Sequence, residues 1–366
     1  MRAAVLERVG EPLKIYDDVD IMQPRAGEIR VAVRYCGLCN SDYAIVSGKF
    51  PVEEPIIIGH EASGIVESVG EGVTHLKPGD PVVLTPLPPC GICYYCQRGD
   101  HSLCVNGMSL ATMALPDGET GLTHRGRRIL RGVGVAALAE LVVTPATGAV
   151  KIPEDLPLET ACVIGCAVQT GAGAVINTAG VEEGATVLIM GLGGIGLSAV
   201  QGAAIAGAST IIASDPLASR RDMATQFGAT QVLDPTADDI AATVMASTGG
   251  IGMDYVFETA GVAALIEQGV GLTRSGGTTV CVGAPPLEDS VTLENVVMFG
   301  TMEKKLCGCL LGSSNALRDI PRLVRLWQSG RLDLESMITS RRPLEQINEG
   351  FADLQAGRGV RTVIEI

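Results

Sequence analysis

The hydrophobic pattern of this chain changes character partway along it. In residues 1–35 apolar and polar positions alternate. Ile29, Val31 and Val33 face one way with polar or small residues between them, and Gly10, Pro24 and Gly27 mark turns. A period of two predicts short antiparallel strands. From residue 186 the pattern becomes continuous apolar runs separated by helical stretches. Residues 186–190 read as a buried parallel strand. Leu197, Ala199, Val200, Ala203, Ala204 and Ile205 then form a small apolar helix face, and 210–214 make a second strand that ends at Asp215. The alternation continues with helices over 220–228, 240–246 and 263–272 and strands over 231–233, 255–257, 278–283 and 305–310. This predicts a doubly wound parallel sheet, an α/β fold.

Between these regions, 105–145 read as a long polar, glycine-bearing loop. The charges of His124-Arg125-Gly126-Arg127-Arg128 lie there as a solvated surface, and a strand resumes at 139–143. Residues 154–180 read as helical, interrupted at Gly165-Cys166. An amphipathic helix over 320–329, another within 350–357 and a strand over 361–366 complete the chain.

At 366 residues the chain exceeds one comfortable core, so two domains are expected. With 46% hydrophobic and 19% charged residues it is far from disorder. A net charge of −14 argues against nucleic acid or an anionic membrane as partner. No apolar run reaches the roughly 20 residues that span a bilayer. No signal peptide is apparent at the N-terminus, and a cytoplasmic location is expected. Eleven cysteines are many for such a compartment unless several hold metal.

Three constellations carry chemistry. The first is Gly191-Leu192-Gly193-Gly194-Ile195-Gly196, a G-x-G-x-x-G between a strand and a helix. The first glycine permits the tight turn, the second a close approach to a pyrophosphate, and the third close helix–strand packing. Asp215, at the end of the next strand, suits ribose hydroxyls and repels a 2′-phosphate, so NAD is expected over NADP. The second constellation is Cys39, His60 and the distant Cys166. They supply three zinc ligands and leave a fourth position open, as a catalytic site requires. Buried apolar thiols and a satisfied core histidine are the bland alternative. The third is Cys90, Cys93, Cys96 and Cys104, four thiols within fifteen residues. They fit a closed structural zinc site, and a pair of disulfides is the rival.

Together, Cys39, Gly59-His60-Glu61, the four-cysteine lobe, Gly165-Cys166, the glycine loop and Arg361-Thr362 resemble the medium-chain, zinc-dependent alcohol dehydrogenases, essentially end to end. The resemblance implies a β-rich, GroES-like catalytic domain from 1–167 and 310–366 and an inserted NAD-binding Rossmann domain over 168–309. It implies Cys39, His60 and Cys166 as catalytic zinc ligands, Glu61 behind the metal, and Asp42 orienting the histidine. Ser41 would accept the alcohol proton. Cys90, Cys93, Cys96 and Cys104 would hold a second zinc, giving two zinc ions per chain. Thr170 would lie near the nicotinamide and Arg361 at the pyrophosphate. Gly191, Gly193, Gly194, Ile195, Gly196, Asp215, Arg220 and Val282 complete the expected cofactor contacts.

The implied reaction is reversible, NAD-linked oxidation of primary alcohols, allylic or benzylic ones included, or of secondary alcohols. Thiol-dependent formaldehyde oxidation is the alternative, and a non-catalytic NAD-binding protein on this fold is a third reading. Two departures stand out. Asn40 occupies a position that is often basic, and Ala44 one that often carries a relay histidine. The acidic residue and the arginine that glutathione-dependent relatives usually carry are not read at Phe50 and Met108, which makes that substrate less expected; the two residues are candidates for pocket lining. The long segment between Cys104 and Cys166 resembles the dimeric, liver-type branch, so a homodimer is expected. Cys36, Cys162, Cys281, Cys307 and Cys309 read as core, and His75, His101 and His124 carry no assigned role.

Overall fold

The computed structural model describes residues 1–107 and 112–366. Met108 therefore lies outside the described residues. The chain divides into two compact units. The first comprises 1–167, 315–330 and 334–366, and the second 168–314 and 331–333.

In the first unit the strand Glu28–Gly37 is the organising element. It pairs antiparallel with Glu61–Val69, with Leu141–Pro145 and with the last strand, Arg361–Glu365. Ile29, Val31 and Val33 are all buried, as the period of two requires. They join Leu38, Ile45, Ile58, Val66, Leu138, Phe351 and Ile364 in one core. Phe50 is half-buried and packs on the same core.

The second unit is a parallel sheet of β1 (Thr186–Met190), β2 (Thr210–Ser214), β3 (Gln231–Leu233), β4 (Met253–Glu258), β5 (Thr273–Cys281) and β6 (Lys305–Gly308). Its spatial order is β3-β2-β1-β4-β5-β6. That order reverses at β1, which creates the crevice where open α/β sheets bind ligands. The helices are α1 (Ala167–Gly173), α2 (Gly194–Ala206), α3 (Ala218–Gln226), α4 (Ile240–Ser247), α5 (Ala263–Leu272) and α6 (Val296–Thr301). A π-helical turn, Ala174–Ala179, continues α1.

The structure corrects several expectations. Residues 122–128 are a hairpin, with strands Leu122–His124 and Arg127–Arg128 joined through Arg125 and Gly126, both at positive φ. Positive φ at both turn positions matches the right-handed strand twist. A helix missed in the sequence, Asn40–Val46, follows Cys39. The return to the first unit lies at 315, not 310, because Gly312 and Ser313 bond back to Asn177 and Thr178 within the second unit. Cys36 and Cys162 are core residues, but Cys281, Cys307 and Cys309 are only half-buried, along the β5–β6 edge.

Candidate functional site

Strand register assembles the first site. Gly37 lies opposite both Glu61 and Val363 on its two neighbouring strands, so three strand ends meet where Cys39 begins. Leu38 N donates to Thr362 O at 2.9 Å, which ties the C-terminal strand to this corner. Cys166 follows a short 3₁₀ turn, Cys162–Gly165. As a result Cys39, His60, Glu61 and Cys166, far apart in sequence and all buried, bring their ligand atoms within 4.8 Å of one another.

The surroundings set the chemistry of these groups. Asp42 Oδ1 accepts from Gly59 N at 2.8 Å and lies 3.1 Å from His60 Nδ1. The imidazole therefore turns Nε2 toward the thiols, the usual arrangement of a metal-bound histidine. Burial disfavours a charged imidazole, yet Asp42 and Cys39 hold His60 well above its ordinary value. Cys39 is pushed well down because it accepts from Cys166, with burial opposing. Cys166 is pushed well up as the donor of that bond, and burial adds to it. The two sulfurs lie within hydrogen-bond reach of each other, and a divalent cation would take the place of the proton between them.

Burial pushes Glu61 up to about 8 against the pull of Arg361. Among the described residues its ion-pair partner is Arg361, Nη2 at 3.2 Å from Oε1, and neither carboxylate oxygen has a hydrogen bond. Arg361 was expected at a pyrophosphate. Here it is 3% exposed and also donates to Leu38 O at 2.9 Å. Two sulfurs, one imidazole nitrogen and an unsatisfied buried carboxylate form a donor set that suits zinc. Ser41 Oγ lies 3.8 Å from Cys39 Sγ, at the rim of this set, and Ala44 is buried on the next turn.

The second cluster is the lobe at 90–104. Cys90, Cys93, Cys96 and Cys104 bring their sulfurs within 4.8 Å of one another. All eleven cysteines fall among the described residues and none is in a disulfide. Cys90 N donates to Cys104 Sγ at 3.3 Å, and Asn106 Nδ2 to Cys90 Sγ at 3.4 Å. Burial raises Cys90, but N–H groups of Ile92 and Cys93 and the Asn106 amide outweigh it and bring it down to about 6. Ile92, Tyr94 and Val105 of the lobe are exposed, so it has little apolar core of its own. Four sulfurs with N–H donors around them suit a closed tetrahedral site. His101 bonds Cys96 O, His75 bonds Ala146 O, and His124 pairs with Asp18 and stacks on Tyr16.

In the second unit the glycine loop crosses from β1 into α2. Gly191 has φ +94°, and a Cβ on Gly196 would stand 1.8 Å from Gly191 O. Gly193 faces open space at the head of α2, where backbone N–H groups attract phosphate. Asp215 lies just after β2. Its carboxylate accepts from Leu192 N at 2.8 Å and Leu217 N at 2.9 Å, and Arg220 Nη1 is 3.6 Å away. Beside them is a cavity of about 240 Å³, lined by Gly191, Asp215, Pro216, Arg220, Pro235 and Ile240 among others. Loop, acid and largely apolar cavity fit the adenosine end of a dinucleotide. Thr170 is buried on α1, and Val282 N donates to Glu258 O at 2.9 Å just beyond β5.

The sequence reading missed Thr259. Its Oγ1 donates to Met190 O at 3.0 Å and Gly191 O at 2.6 Å, bracing the loop from the neighbouring strand. A hydroxyl residue just past β4, the strand beside β1 in the sheet, was the only available signal.

Comparison with known proteins agrees with this geometry. Residues 25–154 match the alcohol dehydrogenase GroES-like domain and 194–328 the zinc-binding dehydrogenase family. An NDMA-dependent alcohol dehydrogenase from Amycolatopsis methanolica is 38% identical over 366 residues, covering 99% of this chain and 98% of the relative. An alcohol dehydrogenase zinc-binding domain protein from Burkholderia ambifaria is 35% identical with a TM-score of 0.94, over 100% and 98% of the two chains. Benzyl alcohol dehydrogenase from Acinetobacter calcoaceticus is 31% identical with a TM-score of 0.94, over 100% and 99%. The chain belongs to the medium-chain, zinc-type alcohol dehydrogenase family.

Proposed function

We propose that this protein is a zinc-dependent, NAD-linked alcohol dehydrogenase. It would reversibly oxidise primary alcohols, allylic and benzylic ones included, or secondary alcohols, to aldehydes or ketones. The observation that carries this reading is the convergence of Cys39, His60, Glu61 and Cys166 with Ser41 beside them. When bound, zinc supplies the Lewis acidity that makes an alcohol hydroxyl acidic near neutral pH, and NAD supplies the hydride acceptor.

The chain's own residues do the rest. Asp42 keeps His60 in one tautomer and one orientation. Arg361 holds Glu61 in place behind the ligands. Ser41 takes the substrate's hydroxyl proton, and with Ala44 on the next turn the proton leaves through water. Asp215 and Arg220 would flank the ribose of a bound dinucleotide, and the acid would disfavour a 2′-phosphate. Cys90, Cys93, Cys96 and Cys104 hold a second zinc and clamp their lobe, giving two ions per chain.

The test is the initial rate of NADH formation across aliphatic, allylic, benzylic and secondary alcohols, with formaldehyde plus thiol as a further arm. Ser41→Ala should lose most turnover yet keep zinc and nucleotide, and near-normal turnover would remove the serine from the mechanism. The benzyl alcohol dehydrogenase resemblance supports the benzylic arm. A relative described as NDMA-dependent supports a second reading, in which the nucleotide stays bound and an added acceptor reoxidises it. Nucleotide released on denaturation, with turnover only when NDMA is present, would select that reading.

Eleven unpaired cysteines fit a reducing compartment, consistent with a cytoplasmic enzyme. We assign it to the liver-type, long-loop branch and to a homodimer. Support for the dimer is an exposed apolar face beside the sheet edge: β6 ends the sheet, and α6 buries none of its residues.

A further inference from the structure

Just beyond β6 the backbone turns through an unusual bend. Leu311, Gly312 and Ser313 have φ of 50°, 68° and 47°, three left-handed residues in succession, two of them with side chains. Such backbone persists only where surrounding contacts over-determine it, and it concentrates at functional sites.

Most of those contacts come from one place, the π-helical turn Ala174–Ala179. Asn177 Nδ2 donates to Gly312 O at 3.2 Å and to Ser314 Oγ at 3.4 Å. Thr178 Oγ1 lies 2.8 Å from Ser313 Oγ and donates to Cys309 Sγ at 3.3 Å. Backbones interlock beneath them: a Cβ on Gly312 would stand 2.3 Å from Gln169 O, and one on Gly173 2.6 Å from Gly312 O. Turns of the π type are rare and occur frequently at functional sites.

The position of the bend supplies the second half of the argument. The Asp215 cavity lies on the β2–β3 side of the strand-order reversal. A dinucleotide crosses that reversal, so its other half goes to the β4–β6 side. The bend lies there, at the carboxyl end of β6, and Cys309 N donates to Cys281 O at 2.9 Å at the end of β5.

We propose that Asn177 and Thr178 are positioning residues that hold the bend at 309–313 so that it receives the nicotinamide half of the bound dinucleotide. This rests on the dinucleotide reading above. Neither side chain need touch the ring; Asn177 acts through the Gly312 carbonyl and the Ser314 hydroxyl, and Thr178 through the side chains of Cys309 and Ser313.

The experiment compares two ligands on the full chain, NADH and ADP-ribose, which lacks the nicotinamide. Dissociation constants are measured for the wild type, Asn177→Ala, Thr178→Val and the double variant. The double variant should bind NADH about tenfold more weakly, the loss expected for two or more hydrogen bonds, and ADP-ribose nearly unchanged. Thr178→Ser, which keeps the hydroxyl, should restore NADH binding. Equal losses for both ligands would mark a merely structural clasp and overturn the proposal, as would no loss for either. Wild type that binds neither ligand would overturn the dinucleotide reading itself, a different result from wild type that binds both while the variants lose both alike.

Discussion

Arg361 Nη2 stands 3.2 Å from Glu61 Oε1, and the two side chains form a buried ion pair behind the thiols of the metal centre. With Arg361 removed, Glu61, which burial already pushes up to about 8, takes a proton, and what remains is a buried carboxyl group without a partner, at a cost of about 1–3 kcal/mol. Arg361→Met should therefore lower stability by that order, and Glu61→Gln in the same chain should recover much of it. Thermal unfolding of the two single variants and the double variant measures the coupling. Additive effects across the cycle would show that the pair is not a unit.

Much of this was legible in the sequence, for physical reasons that differ from place to place. β1, α2 and β2 are long, strongly patterned elements, and local spacing alone sets the glycine loop. The four-cysteine lobe is local too. Cys39, His60 and Cys166 are not: their convergence depends on the register that sets Gly37 opposite Glu61 and on the strand that returns at Arg361. Only family resemblance could join them beforehand. The hairpin at 122–128 was missed because Arg-Gly is not one of the usual two-residue turn pairs. Arg361 was expected to face a phosphate, and nothing local announces its pairing with Glu61. Thr259, Asn177 and Thr178 were invisible because each acts on residues distant in sequence.

The lobe at 90–104 should depend on its cation. Ile92, Tyr94 and Val105 face solvent, so little apolar burial remains to order it, and structural zinc commonly supplies folding energy outright. Cys104→Ala should lower metal content by one ion per chain and open new cleavage sites within 90–106 to limited proteolysis. The metal at Cys39, His60 and Cys166 should remain. Unchanged metal content would show that the four sulfurs bind none.

Acid should weaken the second unit through Asp254. Burial works to raise this carboxylate, but Thr186 N–H and Oγ1, with Arg274 Nε at 2.6 Å, outweigh it and hold it below its usual range. A folded value below the unfolded one means stability that is present above the unfolded value near 3.9 and is lost as pH falls through the folded value. Asp254→Asn should be less stable at neutral pH, and its stability should fall less between about pH 5 and pH 3. Denaturant midpoints at each pH read this directly. Parallel curves for variant and wild type would mean that Asp254 does not contribute.

The last prediction concerns the face beside β6. Val296 and Val297, consecutive residues of α6, are 66% and 73% exposed. Contiguous apolar exposure of this kind marks an interaction surface, and an unprotected sheet edge is a ready template for another strand. In the homodimer proposed above, a two-fold axis at β6 would pair edge with edge and cover α6 on each side. Val297→Lys would place two like charges close to that axis. It should convert a dimer to monomer in sedimentation equilibrium at micromolar concentration while metal content stays the same. A variant that remains fully dimeric would put the interface elsewhere, and a wild type that sediments as a monomer would leave this face without a partner of its own kind.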